Sequence, residues 1–287
     1  MRRIPYSLVY ISGGSSGIGL AIAKKCVHAG MGVFIFARNR DRLDAAYQSL
    51  TREAEAASGS RGQAVPVYAE VLDVSDRAQV AECIPRCLQR SGAPDLLINC
   101  AGIARPGYFE ELPLEVFEQT ININLLGTIY MTRAVYPAMR ERKRGRIINV
   151  SSMAGLIGVF GYTAYGASKF GIVGFSETLR AEAKPQGITV QVLCPPDTDT
   201  PQLAEENKYK PDETRAVAGN VQLRSADVVA DGVMKRLYSR SFFIFPSFDT
   251  VLVYHVHRLF PGLVTRILDT QISTARGQKI HRNQQRG

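Results

Sequence analysis

The amino-acid sequence predicts an α/β fold built as one doubly wound parallel sheet, followed by a C-terminal apolar and basic extension. Three observations carry this. From residue 7 to about 195, short apolar runs alternate with longer amphipathic stretches. A glycine-rich turn follows the first apolar run directly. A chain of 287 residues that is 45% hydrophobic and 21% charged can also bury one large core without needing a second domain.

The elements follow in order. SLVYIS (7–12) reads as the first strand, 17–29 as a helix, GVFIFA (32–37) as the second strand and 40–58 as a long polar helix. AVPVYAEVLDV (64–74), a helix at 76–91, DLLINCAG (95–102) and a helix near 113–140 continue the series. GRIINVSS (145–152), a helix near 163–185 and ITVQVLCP (188–195) complete it. Strands separated by helices imply right-handed parallel crossovers, so the ligand crevice belongs beyond the carboxyl ends of the strands. Residues 197–225 are polar, proline-containing and poorly periodic, which predicts an excursion acting as a substrate lid. A helix at 226–239 returns the chain, giving a domain over 1–240 and an extension over 241–287.

The formal charge of +9 suits an anionic ligand, a nucleic acid or an acidic membrane. No aromatic-and-basic RNA motif or recognition-helix pattern supports nucleic acid. Five cysteines (Cys26, Cys83, Cys87, Cys100, Cys194) are odd in number, and Cys83 with Cys87 has no partner cluster, so no metal site is expected. The basic start MRRIPYSLVYISGG meets the glycine turn before a signal-peptide apolar stretch can form, which predicts a cytoplasmic location.

The turn reads Ser12-Gly13-Gly14-Ser15-Ser16-Gly17-Ile18-Gly19 and opens a helix. Glycines let the backbone turn tightly and approach a pyrophosphate, whose charge meets free amides at the helix N-terminus. At a first β–α junction this is the dinucleotide fingerprint of a Rossmann fold. The second strand ends in Ala37-Arg38-Asn39-Arg40, where an NAD-selective site would hold an acid, so Arg38 is placed to pair with the 2′-phosphate of NADP. Arg40 and Arg42 read as solvated charges at a helix start. Asp73 either accepts from the adenine amino group or caps the helix ahead of Ser75 and Asp76.

Tyr165 and Lys169 stand four residues apart on one predicted helix face. A phenol titrates near ~10, and a neighbouring ammonium favours its anion, making it usable for proton transfer to a carbonyl. Ser152, ending the strand GRIINVSS, can hold the same carbonyl oxygen.

Together these residues resemble the short-chain dehydrogenase/reductase family over nearly all of 7–240. The family's motifs appear as SGGSSGIG, the NCAG of Asn99 to Gly102, Asn124 in NINLLG, Ser152, and Tyr165 with Lys169. The resemblance implies that Asn124 steadies a water linked to Lys169, while Lys169 also holds the nicotinamide ribose. It further implies cofactor contacts at Asn99, Ala101 and Gly102, and at Pro195, Thr198 and Thr200 after the sixth strand. It implies a homodimer or homotetramer through the helices over 113–140 and 163–185. Two departures stand out. Ser12 replaces the usual threonine, and Pro196 replaces the usual glycine after Pro195, removing an amide donor beside the nicotinamide.

PPDTDTP, followed by AEEN and KPDET, is similar to the subgroup of 3-ketodihydrosphingosine reductases. That similarity implies NADPH-dependent reduction of a long-chain keto-amine lipid at its C3 ketone. Asp197, Asp199, Glu205 and Glu206 are the candidates to meet the substrate ammonium. The rivals are another bulky apolar ketone, whether steroid, retinoid or 3-ketoacyl compound, and a catalytically idle NADP-binding scaffold. Segment 242–268 is rich in apolar and aromatic residues but interrupted by Pro246, Asp249, His255, His257, Arg258 and Pro261. It therefore reads as an amphipathic segment on the cytosolic face of a membrane, aided by Arg258, Arg266, Arg276, Lys279, Arg282 and Arg286. The alternative is a dimer arm or a helix packed on the core.

Overall fold

The computed structural model describes residues 6–58, 63–218 and 222–284. Strands β1 (Leu8–Ser12), β2 (Gly32–Ala37), β4 (Leu96–Asn99), β5 (Gly145–Val150) and β6 (Ile188–Leu193) are almost wholly buried. That is why they read as continuous apolar runs rather than alternating ones. With β3 (Val67–Val71) and β9 (Phe243–Ile244) they form a seven-stranded parallel sheet in the order β3-β2-β1-β4-β5-β6-β9.

Helices α1 (Gly17–His28), α2 (Arg40–Ser58) and α9 (Ala226–Arg236) pack on one face over Val9, Ile11, Ile22 and Ile35. Helices α3 (Arg77–Ser91), α5 (Gly127–Glu141) and α6 (Thr163–Ala183) belong to the other, where Tyr10, Phe34, Phe36 and Leu97 are buried. Strand order reverses between β1 and β4, so the crevice opens above Ser12 and Asn99, which are register partners.

The helix expected near 113–140 is interrupted. Between α4 (Leu114–Thr120) and α5 lies a π-helical turn, Ile121–Leu126, which carries Asn124. Such wide turns cost backbone geometry and re-aim a side chain. The lid is also more ordered than its weak periodicity predicts. It holds β7 (Thr198–Asp199), α7 (Pro201–Glu206), α8 (Asp212–Ala218) and β8 (Arg224–Ser225). Thr200 caps α7 by accepting from the Leu203 N–H at 3.2 Å, and Pro201 supplies a preset first helical residue.

The extension folds into α10 (Phe248–Leu259) and α11 (Pro261–Gln284). Helix α11 lies on α8, where Arg276 Nε donates to the buried Glu213 at 3.2 Å and its guanidinium stands 5.5 Å over the Phe160 ring. Among the described residues no helix is long and apolar enough to cross a membrane. Arg286 and the side chains of Lys279 and Arg282 lie outside the described residues.

Candidate active site

The anion-binding end is built from backbone. Gly13 has φ +70°, and a Cβ there would stand 2.7 Å from the Ala101 nitrogen, so glycine lets the β1 and β4 loops meet. Ser16 is the N-cap of α1, yet its side chain makes no capping hydrogen bond and the first turn holds no acid. The first-turn amides are thus left for an incoming anion, and Ser15 to Gly19 line the cleft around them. This donor set fits a pyrophosphate.

Arg38 directly follows β2, half exposed on the cleft wall, with Nη1 3.6 Å from Asp73 Oδ2. Asp73 closes a local turn, accepting from the Ser75 N–H at 2.9 Å and hydroxyl at 2.6 Å. The cap of α3 is Asp76, which accepts from Ala78 and Gln79. Arg42, read from sequence as a solvated charge, lines the cleft beside Arg38.

Ser12, Asn99 and Asn124 stand behind this wall as braces. Ser12 Oγ accepts from the Cys100 N–H at 3.2 Å and the Ala101 N–H at 3.4 Å. Asn99 donates to Asn149 and Thr132 across the sheet edge. Asn124 donates to the Ile103 carbonyl at 2.9 Å and to Ser168 Oγ at 3.0 Å, and accepts from the Ile103 N–H at 2.8 Å. A Cβ on Gly102 would sit 3.2 Å from Asn124 Oδ1 and 3.4 Å from Lys169 Nζ, so both groups converge on that bare backbone.

Tyr165 and Lys169 project from one face of α6 into the cleft, and Ser152 reaches the Tyr165 phenol by a hydrogen bond. Ser152 also accepts from the Ala154 N–H at 3.1 Å, which fixes its rotamer. Lys169 donates to the Val150 carbonyl at 2.9 Å, with Nζ 5.4 Å from the centre of the Tyr165 ring.

The sequence argument, in which an adjacent ammonium lowers the tyrosine pKa, is not what this environment shows. Burial, then the charge of Glu206, holds the phenol above its ordinary range against the opposing Ser152 hydrogen bond. Burial also brings Lys169 down to about 8. A phenol kept protonated beside a donor serine is equipped to give a proton to a carbonyl.

Of the lid acids, Glu205 is solvated beside Lys208, Asp199 is exposed, and Asp197 on the cleft wall lies 3.7 Å from Lys210. Of these four candidates Glu206 alone is buried, on the cleft wall, where it accepts from the Tyr162 hydroxyl at 2.7 Å. Tyr162 was not singled out from sequence, although its place three residues before Tyr165 puts the rings 5.5 Å apart. Pro195, Thr198 and Thr200 line the same cleft.

The cavity occupies about 1000 Å³ and runs from the glycine turn to α10 and α11, where Leu252, Val256, Val264 and Leu268 form its apolar end. The extension is thus part of the cleft wall, which nothing in its local pattern announces.

Fold and site together define an oxidoreductase with a dinucleotide-type cleft. The chain belongs to the short chain dehydrogenase family, whose model matches residues 7–211. It is 43% identical over 233 residues to a mouse (Mus musculus) 3-ketodihydrosphingosine reductase, covering 81% of this chain and 68% of that one. It is 36% identical over 246 residues to the Dictyostelium discoideum protein of the same name, covering 82% and 73%. Among solved structures it resembles a short-chain dehydrogenase from Sphingobium yanoikuyae in complex with NADPH, with a TM-score of 0.74, 26% identity and 90% and 95% coverage.

Proposed function

We propose that this protein uses NADPH to reduce the C3 ketone of 3-ketodihydrosphingosine to the amino-diol dihydrosphingosine. The observation that carries the proposal is the position of the Tyr165 phenol, half-buried where an anion cradle meets an apolar cavity of about 1000 Å³. The names of the mouse and Dictyostelium relatives support the substrate.

NADPH, when bound, supplies the hydride. Its pyrophosphate suits the amides of Ser15 to Gly19, and Arg38 and Arg42 stand where a 2′-phosphate would need cations. Gly13, Ala101, Gly102, Pro195, Thr198 and Thr200 complete that wall, with Ser12, Asn99 and Asp73 bracing its loops. Tyr165 gives its proton to the ketone oxygen while Ser152 holds that oxygen. Lys169 holds the ribose and, with Asn124 behind it, returns a proton to the phenol.

Leu252, Val256, Val264 and Leu268 would take the alkyl chain. On the outer side, Phe248, Leu259, Phe260 and Leu263 are exposed near Arg258 and Arg266. An apolar surface edged with cations suits the cytosolic face of a membrane holding the lipid substrate. Exposed Leu114 and Phe170 support association into a homodimer or homotetramer through α4 and α6.

The test is NADPH oxidation with 3-ketodihydrosphingosine, a steroid ketone, a retinal and a 3-ketoacyl thioester. The keto-amine should give the highest kcat/KM. A higher value for another ketone would overturn the assignment.

A further inference from the structure

A long-chain ketone needs only an apolar cavity and a proton donor, but a 2-amino-3-ketone carries a cation one carbon from the reacting centre. Wherever the Tyr165 hydroxyl meets the ketone oxygen, the ammonium must therefore lie close by. In the cleft wall beside Tyr165 stands one buried carboxylate, Glu206, 7% exposed.

Its placement follows from the lid. Pro201 starts α7 and Thr200 caps it, so the helix runs for one and a half turns and delivers Glu206 at its last residue. Gln202 Nε2 donates to Oε1 at 2.8 Å, and the Tyr162 hydroxyl donates to Oε2 at 2.7 Å. These two neutral donors orient the carboxylate without neutralising it. Lys210, the nearby cation, stands 3.7 Å from Asp197, and among the described residues no cation lies at ion-pair distance from Glu206. Tyr162 in turn lies against Tyr165, with ring centres 5.5 Å apart. Burial raises the pKa of Glu206 against the opposing Gln202 and Tyr162 hydrogen bonds and the more distant charge of Lys210.

We infer that Glu206, held by Tyr162 and Gln202, is the subsite for the substrate's ammonium and sets the preference for 2-amino ketones over otherwise identical ketones. The inference rests on the keto-amine reading above. It assigns Glu206 to specificity, leaving proton transfer to Tyr165. A bound ammonium would also give the buried carboxylate a cation at hydrogen-bond distance, which Lys210, turned to Asp197, does not supply.

The experiment compares wild type with Glu206→Gln on the keto-amine and on the same ketone with hydrogen in place of the amino group. A charge-assisted hydrogen bond changes affinity roughly tenfold to hundredfold, so Glu206→Gln should lose about that factor in kcat/KM on the keto-amine. Any effect of the lost charge on the Tyr165 phenol is shared by both ketones, so the wild-type ratio of kcat/KM for the keto-amine over the amine-free ketone should fall by about that factor. Equal losses on both ketones, or no loss on either, would overturn the inference while the keto-amine assignment stands. A wild type that prefers the amine-free ketone would overturn both. If Glu206→Gln fails to fold, inhibition of wild type by a long-chain primary amine and by the alcohol of equal length decides the matter. Stronger inhibition by the amine supports the subsite, and equal inhibition overturns it.

Discussion

Tyr165 is surrounded so that it keeps its proton: shielded from solvent in the cleft wall, facing the negative Glu206, and hydrogen-bonded to Ser152. Tyr165→Phe deletes the donor and keeps the ring, so ketone reduction should fall by more than about a hundredfold while NADPH binding, followed by fluorescence titration, stays near wild type. Arg38 pairs with Asp73 in this structure and would exchange that partner for the 2′-phosphate. Arg38→Ala should weaken NADPH by roughly tenfold to hundredfold and NADH far less, and equal losses by calorimetry would remove Arg38 from that role. Lys169 makes a stability prediction. Its pKa falls from the ordinary 10.5 to about 8 on burial, so between those values the unfolded chain holds the extra proton. Its burial cost is complete below about 8 and fades as pH rises toward 10.5. Lys169→Met should therefore be the more stable protein at neutral pH, with denaturant midpoints converging across that window. The serine, tyrosine and lysine were legible because their spacing and strand position imply a shared face. Tyr162 and Glu206 were not singled out in this way, because only the folded segment 197–225 brings one of the four candidate acids to the cleft wall beside Tyr165.

The elements that position these groups are more irregular than their patterns. Apolar periodicity over 113–140 announces a helix and gives no sign of the π-helical turn at Ile121–Leu126, since one extra residue in a turn leaves a short amphipathic pattern almost unchanged. That turn sets Asn124 against Ile103 and Ser168. Asn124→Ala would leave the partly buried Ile103 amide and carbonyl without their side-chain partner, costing about 1–3 kcal/mol in denaturant unfolding along with activity. The lid shows the same limit from the other side. Its capping residues were visible as Thr and Pro, but two short helices of low periodicity read as loop.

At the scale of the molecule, the strand–helix alternation was sufficient to predict a doubly wound parallel sheet with its crevice beyond the carboxyl ends of the strands, because parallel crossovers admit few alternatives, while the strand order is seen only in the folded chain. The extension was legible as amphipathic but not as a cavity wall, since that depends on where α11 meets α8. The structure adds the packed arrangement to the membrane-surface reading: one side of α10 and α11 lines the cleft, and the other is exposed and apolar. Removal of residues 248–287, which spares β9, should raise KM progressively with substrate chain length and reduce co-sedimentation with anionic vesicles, whereas full-length protein that ignores vesicles would contradict the surface role. The central claim, that NADPH reduces a long-chain keto-amine at C3 in this cleft, is tested most directly by isotope transfer. Wild type incubated with NADPH carrying deuterium at the transferable position and with 3-ketodihydrosphingosine should give an amino-diol with the deuterium on C3, and Tyr165→Phe should give none. Unlabelled product, or no product from wild type with both ligands bound, would contradict the account.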